Sequence, residues 1–341
     1  MANDNGTSNG HGNGHGHGLD RMLVLEVARV TEAAALAAAR FCGRGNEKAA
    51  DKAAVDAMRR ELSRVSLRGK VVIGEGEMDE APMLYIGEEV GNGTGPEVDI
   101  AVDPLEGTTI CAKLMPNALA VLAISERGGL LHAPDMYMNK IAIGPGYPEG
   151  VVDLDAPVEA NLAALAKAKG VPVSAITACL LDRPRHQELI RAVREAGAAV
   201  QLIPDGDIAG VIWTTDPAET GIDIYLGSGG APEGVLAAAA LACIGGQIQG
   251  RLMPSNDAER VRAEKMGITD IKKVFTLTDM ASSDVIFAAT GVTGGSLLQG
   301  VRFRGGMAET ETLIMRSKTG TVRRIKSRFR DVAHMLAQSR D

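Results

Sequence analysis

Between residues 98 and 109 the chain reads VDIAVDPLEGTT. A short apolar strand, 98–102, runs into Asp103, Pro104, Leu105, Glu106, Gly107, Thr108 and Thr109. Pro104 has a set φ and no N–H, so the strand is expected to end there in a turn. That turn would hold two carboxylates, Asp103 and Glu106, at the strand mouth, beside a flexible glycine and two hydroxyls. Upstream, VVIGEGE over 71–77 repeats the design, with Glu75 and Glu77 set between glycines. Two strand ends that each deliver carboxylates suit an oxygen-ligand cage for hard divalent cations. Backbone N–H groups in the Gly-Thr-Thr segment beside such a cage suit phosphate chemistry. Either piece alone reads as an ordinary acidic loop. The two together favour the metal reading.

Those residues need elements to place them. Residues 19–41 read as an alanine-rich helix ended by Gly43 and Gly45. A second helix, 46–65, carries an apolar stripe of Val55, Met58, Leu62 and Val65. Asp51 falls on that stripe four residues before Val55. It is either paired or metal-bound on a buried face, or solvated at a frayed helix start. A strand at 71–73, a helix at 81–90 and a Gly-rich turn at 91–96 follow. Further strands are expected at 118–125 and 141–144, with a turn at Gly128-Gly129.

After about residue 150 helices and strands alternate, which implies a βα-layered unit with ligands at strand carboxyl ends. Three such ends carry polar clusters. They are Asp182-Arg183-Pro184-Arg185, Pro204-Asp205-Gly206-Asp207, and the glycine-rich run from Gly227 through Gly230 to Glu233. The last opens a helix, where free N–H groups favour an anion. It is not GxGxxG after a βαβ opening, so a dinucleotide fold is not expected, and no GxSxG stands at an expected strand-to-helix turn.

The chain of 341 residues is long enough for two domains. The expected division is an α+β metal-binding domain at 19–150 and an α/β substrate domain at 151–335, an α/β protein as a whole. Aromatics are only 3% of residues, so the cores must be built from Ala, Val, Ile, Leu and Met. A net charge of −7 argues against nucleic acid as a partner. The Lys/Arg-rich stretch 316–330 reads as a solvated face on a strand at 321–325, ahead of an anion site or a subunit contact. Cys42, Cys111, Cys179 and Cys243 form no CxxC or zinc spacing, so reduced thiols in a cytoplasmic protein are expected. No signal peptide or long apolar run is present, so neither secretion nor a membrane span is expected. The Gly/His-rich residues 1–18 can bury nothing and read as a disordered tail.

The motifs resemble those of class II fructose-1,6-bisphosphatases, the bacterial type within the metal-dependent sugar and inositol phosphatase fold. The resemblance covers residues 20–330. It rests on GRG…AAD (43–51), VIGEGE (72–77), DEAPMLYIGE (79–88), DIAVDPLEGT (99–108), APDMYM (133–138), PRH (184–186), IPDGD (203–207), GGAPEG (229–234) and ATGVTGG (289–295). The wider superfamily usually has Asp where Glu106 stands. The family commonly has Lys where Arg183 stands, and Lys-Asn where Glu47-Lys48 stand.

The resemblance implies a layered αβαβα sandwich. It assigns Mg²⁺ or Mn²⁺ to Asp51, Glu75, Asp103, Glu106 and Glu233. It places Glu106, Gly107 and Thr108 against the reacting phosphate, with Thr108 orienting the attacking water and Asp103 and Glu106 also catalytic. Tyr137, Arg183, Pro184, Arg185, Asp205, Gly206, Asp207 and Gly230 match its sugar-phosphate contacts. A sugar-phosphate substrate and a homo-oligomer, dimer or tetramer, are implied too.

The implied reaction is hydrolysis of the 1-phosphate of fructose-1,6-bisphosphate, in gluconeogenesis or a Calvin-type cycle. Phosphate monoesters hydrolyse very slowly unaided, and two or more divalent cations would meet that need. Arg183 and Arg185 could grip a second phosphate. The alternatives are a dual fructose-1,6-/sedoheptulose-1,7-bisphosphatase and an inositol or polyol monophosphatase, the basic 183–185 loop weighing against the latter. An aspartyl-phosphate mechanism through Asp103 is disfavoured by the DPxE spacing. A non-catalytic metal or sugar-phosphate binding protein is disfavoured by Thr108 beside the cage.

Overall fold

The computed structural model describes residue 19 and residues 21–76 and 82–330. Residues 1–18, Glu77 and the chain beyond 330 lie outside the described residues, as does the tail reading made for 1–18.

The chain opens with two helices, α1 (Leu23–Ala39) and α2 (Glu47–Leu62). The Asn46 side chain caps α2 by accepting the Ala49 N–H at 3.0 Å. Next come β1 (Arg68–Ile73), β2 (Glu89–Val90), β3 (Glu97–Glu106), the one-turn helix α3 (Thr108–Ala112) and β4 (Leu119–Glu126). The middle of the chain supplies β5 (Tyr137–Ile143), α4 (Val158–Lys169), β6 (Thr177–Leu181), α5 (Gln187–Glu195) and β7 (Ala199–Ile203). It continues with α6 (Asp207–Trp213), α7 (Pro217–Thr220), β8 (Ile224–Gly230), α8 (Ala231–Ala242), β9 (Gln247–Met253) and β10 (Phe275–Thr276). Four strands close it: β11 (Val285–Gly291), β12 (Arg302–Arg304), β13 (Met307–Arg316) and β14 (Thr321–Phe329).

These strands build two sheets. The first runs β12-β13-β11-β4-β3-β1-β2, with β14 on β13, and so draws on both ends of the chain. The second runs β10-β9-β5-β8-β6-β7 and uses the middle. In the first sheet β1 and β3 are parallel. In the second, β6 runs parallel to β7 and β8 while β5 pairs antiparallel with β8 and β9.

Burial explains the layering. On β3, Val98, Ile100 and Val102 pack into the cluster formed by α1 and α2, while Ala101 faces the opposite cluster with α8. Both faces are covered, so the strand is apolar on both. Helix α8 is buried along nearly its whole length and is rich in alanine. A helix apolar all round belongs between layers, and small side chains let two sheets approach it. It packs between β3, β4 and β11 of the first sheet and β5, β8 and β9 of the second. Helices α4 and α5 cover the far face of the second sheet through Leu162, Leu165, Ile190 and Val193. The result is the expected αβαβα sandwich. Among the described residues no helix is long and apolar enough to cross a membrane.

Two expectations are corrected. The helix expected at 81–90 is absent over the described residues 82–90, which form turns and then β2. Leu84 takes φ +56° and Gly87 φ +96°. Glu88 accepts the Leu84 N–H and pairs with Arg59 of α2, holding the segment as a loop. The strand before Pro104 does not end there either. It runs on to Glu106, with an irregular register against β4 between Asp103 and Glu106. A bulge tolerates Pro104, because an unpaired position asks for no N–H. The basic strand expected at 321–325 is β14, whose Arg323, Arg324, Lys326 and Arg328 are exposed, a solvated sheet edge.

Candidate active site

A cavity of about 340 Å³ opens where β1 and β3 end, between the two sheets. Each acidic wall comes from a different element. Helix α2 contributes Asp51, the loop after β1 Glu75, and the end of β3 Asp103 and Glu106. Glu233 enters from the first turn of α8. Gly107, at φ +81°, turns the chain sharply from β3 into α3 and presents Thr108 to the cavity. Asp205 and Asp135 complete the rim.

Three of these carboxylates converge. One oxygen each from Asp103, Glu106 and Glu233 lies within 4.8 Å of the others. The bulge in β3 makes this possible, because it brings Asp103 and Glu106 to bear on one site. The Leu105 N–H donates to Asp103 Oδ1 at 3.1 Å. The Ile208 N–H, at the start of α6, donates to Glu106 Oε1 at 3.2 Å.

The electrostatics follow from crowding like charges out of water. Burial, then the charges of Asp103 and Asp51, pushes Glu75 up to about 8. Burial lifts Asp103 to about 6. Burial and the neighbouring Asp207 lift Glu233 to about 7, against the pull of Lys140. Glu106 is raised well above its ordinary range by burial and then by Asp103. Burial raises Asp51 as well. Glu233 Oε2 is buried without a hydrogen-bond partner. An all-oxygen donor set with an orphaned buried oxygen fits a hard divalent cation.

The other expected site residues fall into two groups. Asp205 lines the cavity, and Gly206, at φ +80°, caps α6 beside Glu106. Asp207 is buried, pairs with Lys140 and accepts the Tyr225 hydroxyl at 3.4 Å. Gly230 pairs in register with Tyr137, and its missing side chain leaves room for the Glu233 carboxylate. Tyr137, Arg183, Pro184 and Arg185 stand off the carboxylate cluster. Arg183 pairs with Asp205 at 3.2 Å, linking that group to the cavity rim. The Arg185 guanidinium lies 4.7 Å over the half-exposed Tyr137 ring and donates to Ser228 Oγ and Ser228 O at 3.0 and 2.8 Å.

Sequence reasoning missed three contributors. Lys140 is 1% exposed in the middle of β5 and donates to Asp207 and to Gly230 O at 2.8 Å. A lysine inside an apolar strand was the available signal, but the strand was expected only from residue 141. His186 accepts the Ser228 N–H on Nε2 at 2.9 Å, so its Nδ1 carries the proton and donates to Leu181 O at 2.9 Å. Burial lowers its pKa, and the neutral ring pins the arginine loop to β8. Asp135 lay within a quoted motif without being singled out.

Comparison with known proteins gives the family. Residues 21–329 match the family described as bacterial fructose-1,6-bisphosphatase, glpX-encoded. A protein of Synechococcus sp. (strain JA-3-3Ab) named D-fructose 1,6-bisphosphatase class 2/sedoheptulose 1,7-bisphosphatase is 48% identical over 342 residues, covering 93% of this chain and 96% of its own. Fructose-1,6-bisphosphatase 1 class 2 of Escherichia coli (strain K12) is 49% identical over 321 residues, covering 90% of this chain and 95% of its own. The chain belongs to the bacterial class II fructose-1,6-bisphosphatase family.

Proposed function

We propose that the protein is a Mg²⁺- or Mn²⁺-dependent phosphatase that removes the 1-phosphate of fructose-1,6-bisphosphate. The observation that carries this reading is the convergence of Asp103, Glu106 and Glu233 beside Thr108. Asp51, Glu75, Asp103, Glu106 and Glu233 would hold the cations. Bound there, they would neutralise the reacting phosphate and ease ionisation of water. The Thr108 hydroxyl, at the head of α3, orients the attacking water. Gly107 leaves the backbone open to the phosphate beside it. Arg183 and Arg185 hold the phosphate that does not react, with guanidinium geometry suited to it. Tyr137 and Gly230 frame the sugar, and Asp205 accepts from its hydroxyls. Asp207, already paired with Lys140, acts at the edge of that contact.

Sedoheptulose-1,7-bisphosphate is a second substrate to test, because the Synechococcus relative's name includes that activity. A homo-oligomer in the cytoplasm completes the reading. The deciding experiment is phosphate release from fructose-1,6-bisphosphate, sedoheptulose-1,7-bisphosphate, fructose-1-phosphate and inositol-1-phosphate with Mg²⁺ and with Mn²⁺. Release from the bisphosphates that chelator abolishes is expected. Full turnover in excess chelator after metal-free dialysis overturns the metal dependence. Preference for inositol-1-phosphate overturns the substrate.

A further inference from the structure

Cys42 and Cys111 are 69 residues apart in the chain, yet their sulfurs lie 3.4 Å from each other. Both are free thiols. Cys42 sits in the loop joining α1 to α2 and is partly exposed. Cys111 is buried on α3, one turn beyond Thr108. Backbone bonds already clamp the two segments. The Gly43 N–H donates to Cys111 O and the Gly45 N–H to Ala112 O, each at 3.0 Å. Cys179 and Cys243 are buried elsewhere, in the core between the two sheets.

We propose that Cys42 and Cys111 form a thiol–disulfide exchange site that takes a small anionic disulfide and, once oxidised, slows turnover. The effect on turnover rests on the phosphatase reading above; the bond itself does not.

The Cys42 thiolate attacks one sulfur of a disulfide RSSR, a mixed disulfide forms, and RS⁻ leaves to take up a proton. Cys111 then loses its proton and attacks Cys42 Sγ. The Cys42–Cys111 bond forms and the second RS⁻ leaves, protonated from solvent. Two protein thiols are oxidised and one disulfide is reduced to two thiols. The surroundings assign the order. The Cys111 thiol hydrogen-bonds Cys42 and holds its pKa below the ordinary value, while the same contact and burial push Cys111 up. Cys42, the more exposed, is therefore the attacking thiol and Cys111 the resolving one. Arg40 and Arg44 flank Cys42 in sequence, and both are exposed, which favours an anionic reagent such as oxidised glutathione.

The link to catalysis is short. A disulfide holds its sulfurs about 2.05 Å apart, so the two thiols must close by on the order of 1 Å. One sulfur sits on the loop that leads into α2, which carries Asp51. The other sits on the helix that begins at Thr108. Both Asp51 and Thr108 line the cavity. A displacement of about 1 Å in a positioned catalytic group can cost roughly 10²-fold in rate.

The test uses the full chain loaded with Mn²⁺. It is equilibrated with oxidised glutathione and read by intact mass, peptide mapping, thiol titration and phosphate release. A loss of roughly 2 Da is expected, with a single Cys42–Cys111 linkage and two of the four thiols consumed. The kcat should fall about ten-fold or more and return with dithiothreitol. Cys42→Ser should form no bond and keep its rate under the same treatment, and Cys111→Ser should stop at the mixed disulfide. Four titratable thiols after equilibration, a linkage through Cys179 or Cys243, or a bond that leaves kcat unchanged overturns the proposal. Mass and thiol count do not depend on turnover. Failure of the phosphatase reading would show separately, as no phosphate release before oxidation.

Discussion

Asp103, Glu106 and Glu233 carry charges that water would ordinarily screen and that burial here leaves to one another. On the proposed assignment, neutralising any one of them removes a cation ligand and not a core contact. Asp103→Asn and Glu106→Gln are each expected to lower kcat by about 10²-fold or more with an unchanged circular dichroism spectrum. A near-wild-type kcat in either variant contradicts the assignment. Thr108→Ala should lower kcat more than it raises KM, because a water-orienting hydroxyl acts chiefly in the transition state. Arg185→Ala tests the second-phosphate contact. A charge-assisted bond is worth roughly 1.5–3 kcal/mol, so KM for fructose-1,6-bisphosphate should rise by about ten-fold or more. A monophosphate should lose far less, and an equal loss on both would refute the role. Glu75, Asp103 and Glu106 were legible because apolar strand residues run directly into each pair of acids, whereas Glu233 entered the cation set through the family resemblance. Lys140 and Asp135 were not legible, since burial and a shared cavity depend on partners far along the chain. The Cys42–Cys111 contact was hidden for the same reason.

At the scale of elements, the site depends on how α6 and α8 are held to β5. Lys140 ties all three: its ammonium pairs with Asp207 at the head of α6 and donates to Gly230 O at the head of α8. Through α6 it steadies the Ile208 N–H on Glu106, and through α8 it steadies Glu233. Glycine at 229 and 234 makes room for it, since a Cβ at Gly229 would meet Asp207 Oδ2 at 1.9 Å and one at Gly234 would meet Lys140 Cδ at 3.3 Å. Lys140→Met strands a buried carboxylate, and a loss of about 3–5 kcal/mol in denaturant unfolding is expected. Adding Asp207→Asn should recover most of that stability. If the double variant is no more stable than the single, the pair is not what the lysine supports. Most elements could be read from apolar period and glycine punctuation, including the alternation of helix and strand after residue 150. The two errors share a cause. Tertiary bonds from Glu88 to Leu84 and Arg59 hold residues 82–88 as a loop, and pairing with β4 carries β3 past Pro104. Local propensity contains neither.

For the whole molecule, the alternation of strands and helices indicated an α/β protein. It did not indicate that β11–β14 return to the first sheet, because strand order is set by packing over long separations. That return sets β11 beside β3 and β4 against α8, whose Glu233 reaches a cavity where buried acids crowd one another. Glu75 titrates near 8 when folded, against an ordinary value of 4.5. Glu233 titrates near 7 and Asp103 near 6. Each binds more protons folded than unfolded between those two values, so each favours the fold at low pH and withdraws that support as pH rises through its folded value. The metal-free protein should therefore lose thermal stability between about pH 5 and about pH 8, by several degrees in Tm. A divalent cation held by the proposed ligands would replace the protons and bind only the ionised acids. Saturating Mn²⁺ or Mg²⁺ should then raise Tm more at the upper end of that range than at the lower. Differential scanning calorimetry of the dialysed protein with and without each cation makes the measurement. A metal-free Tm that stays level across the range, with no response to either cation, would mean that these carboxylates do not form a cation site.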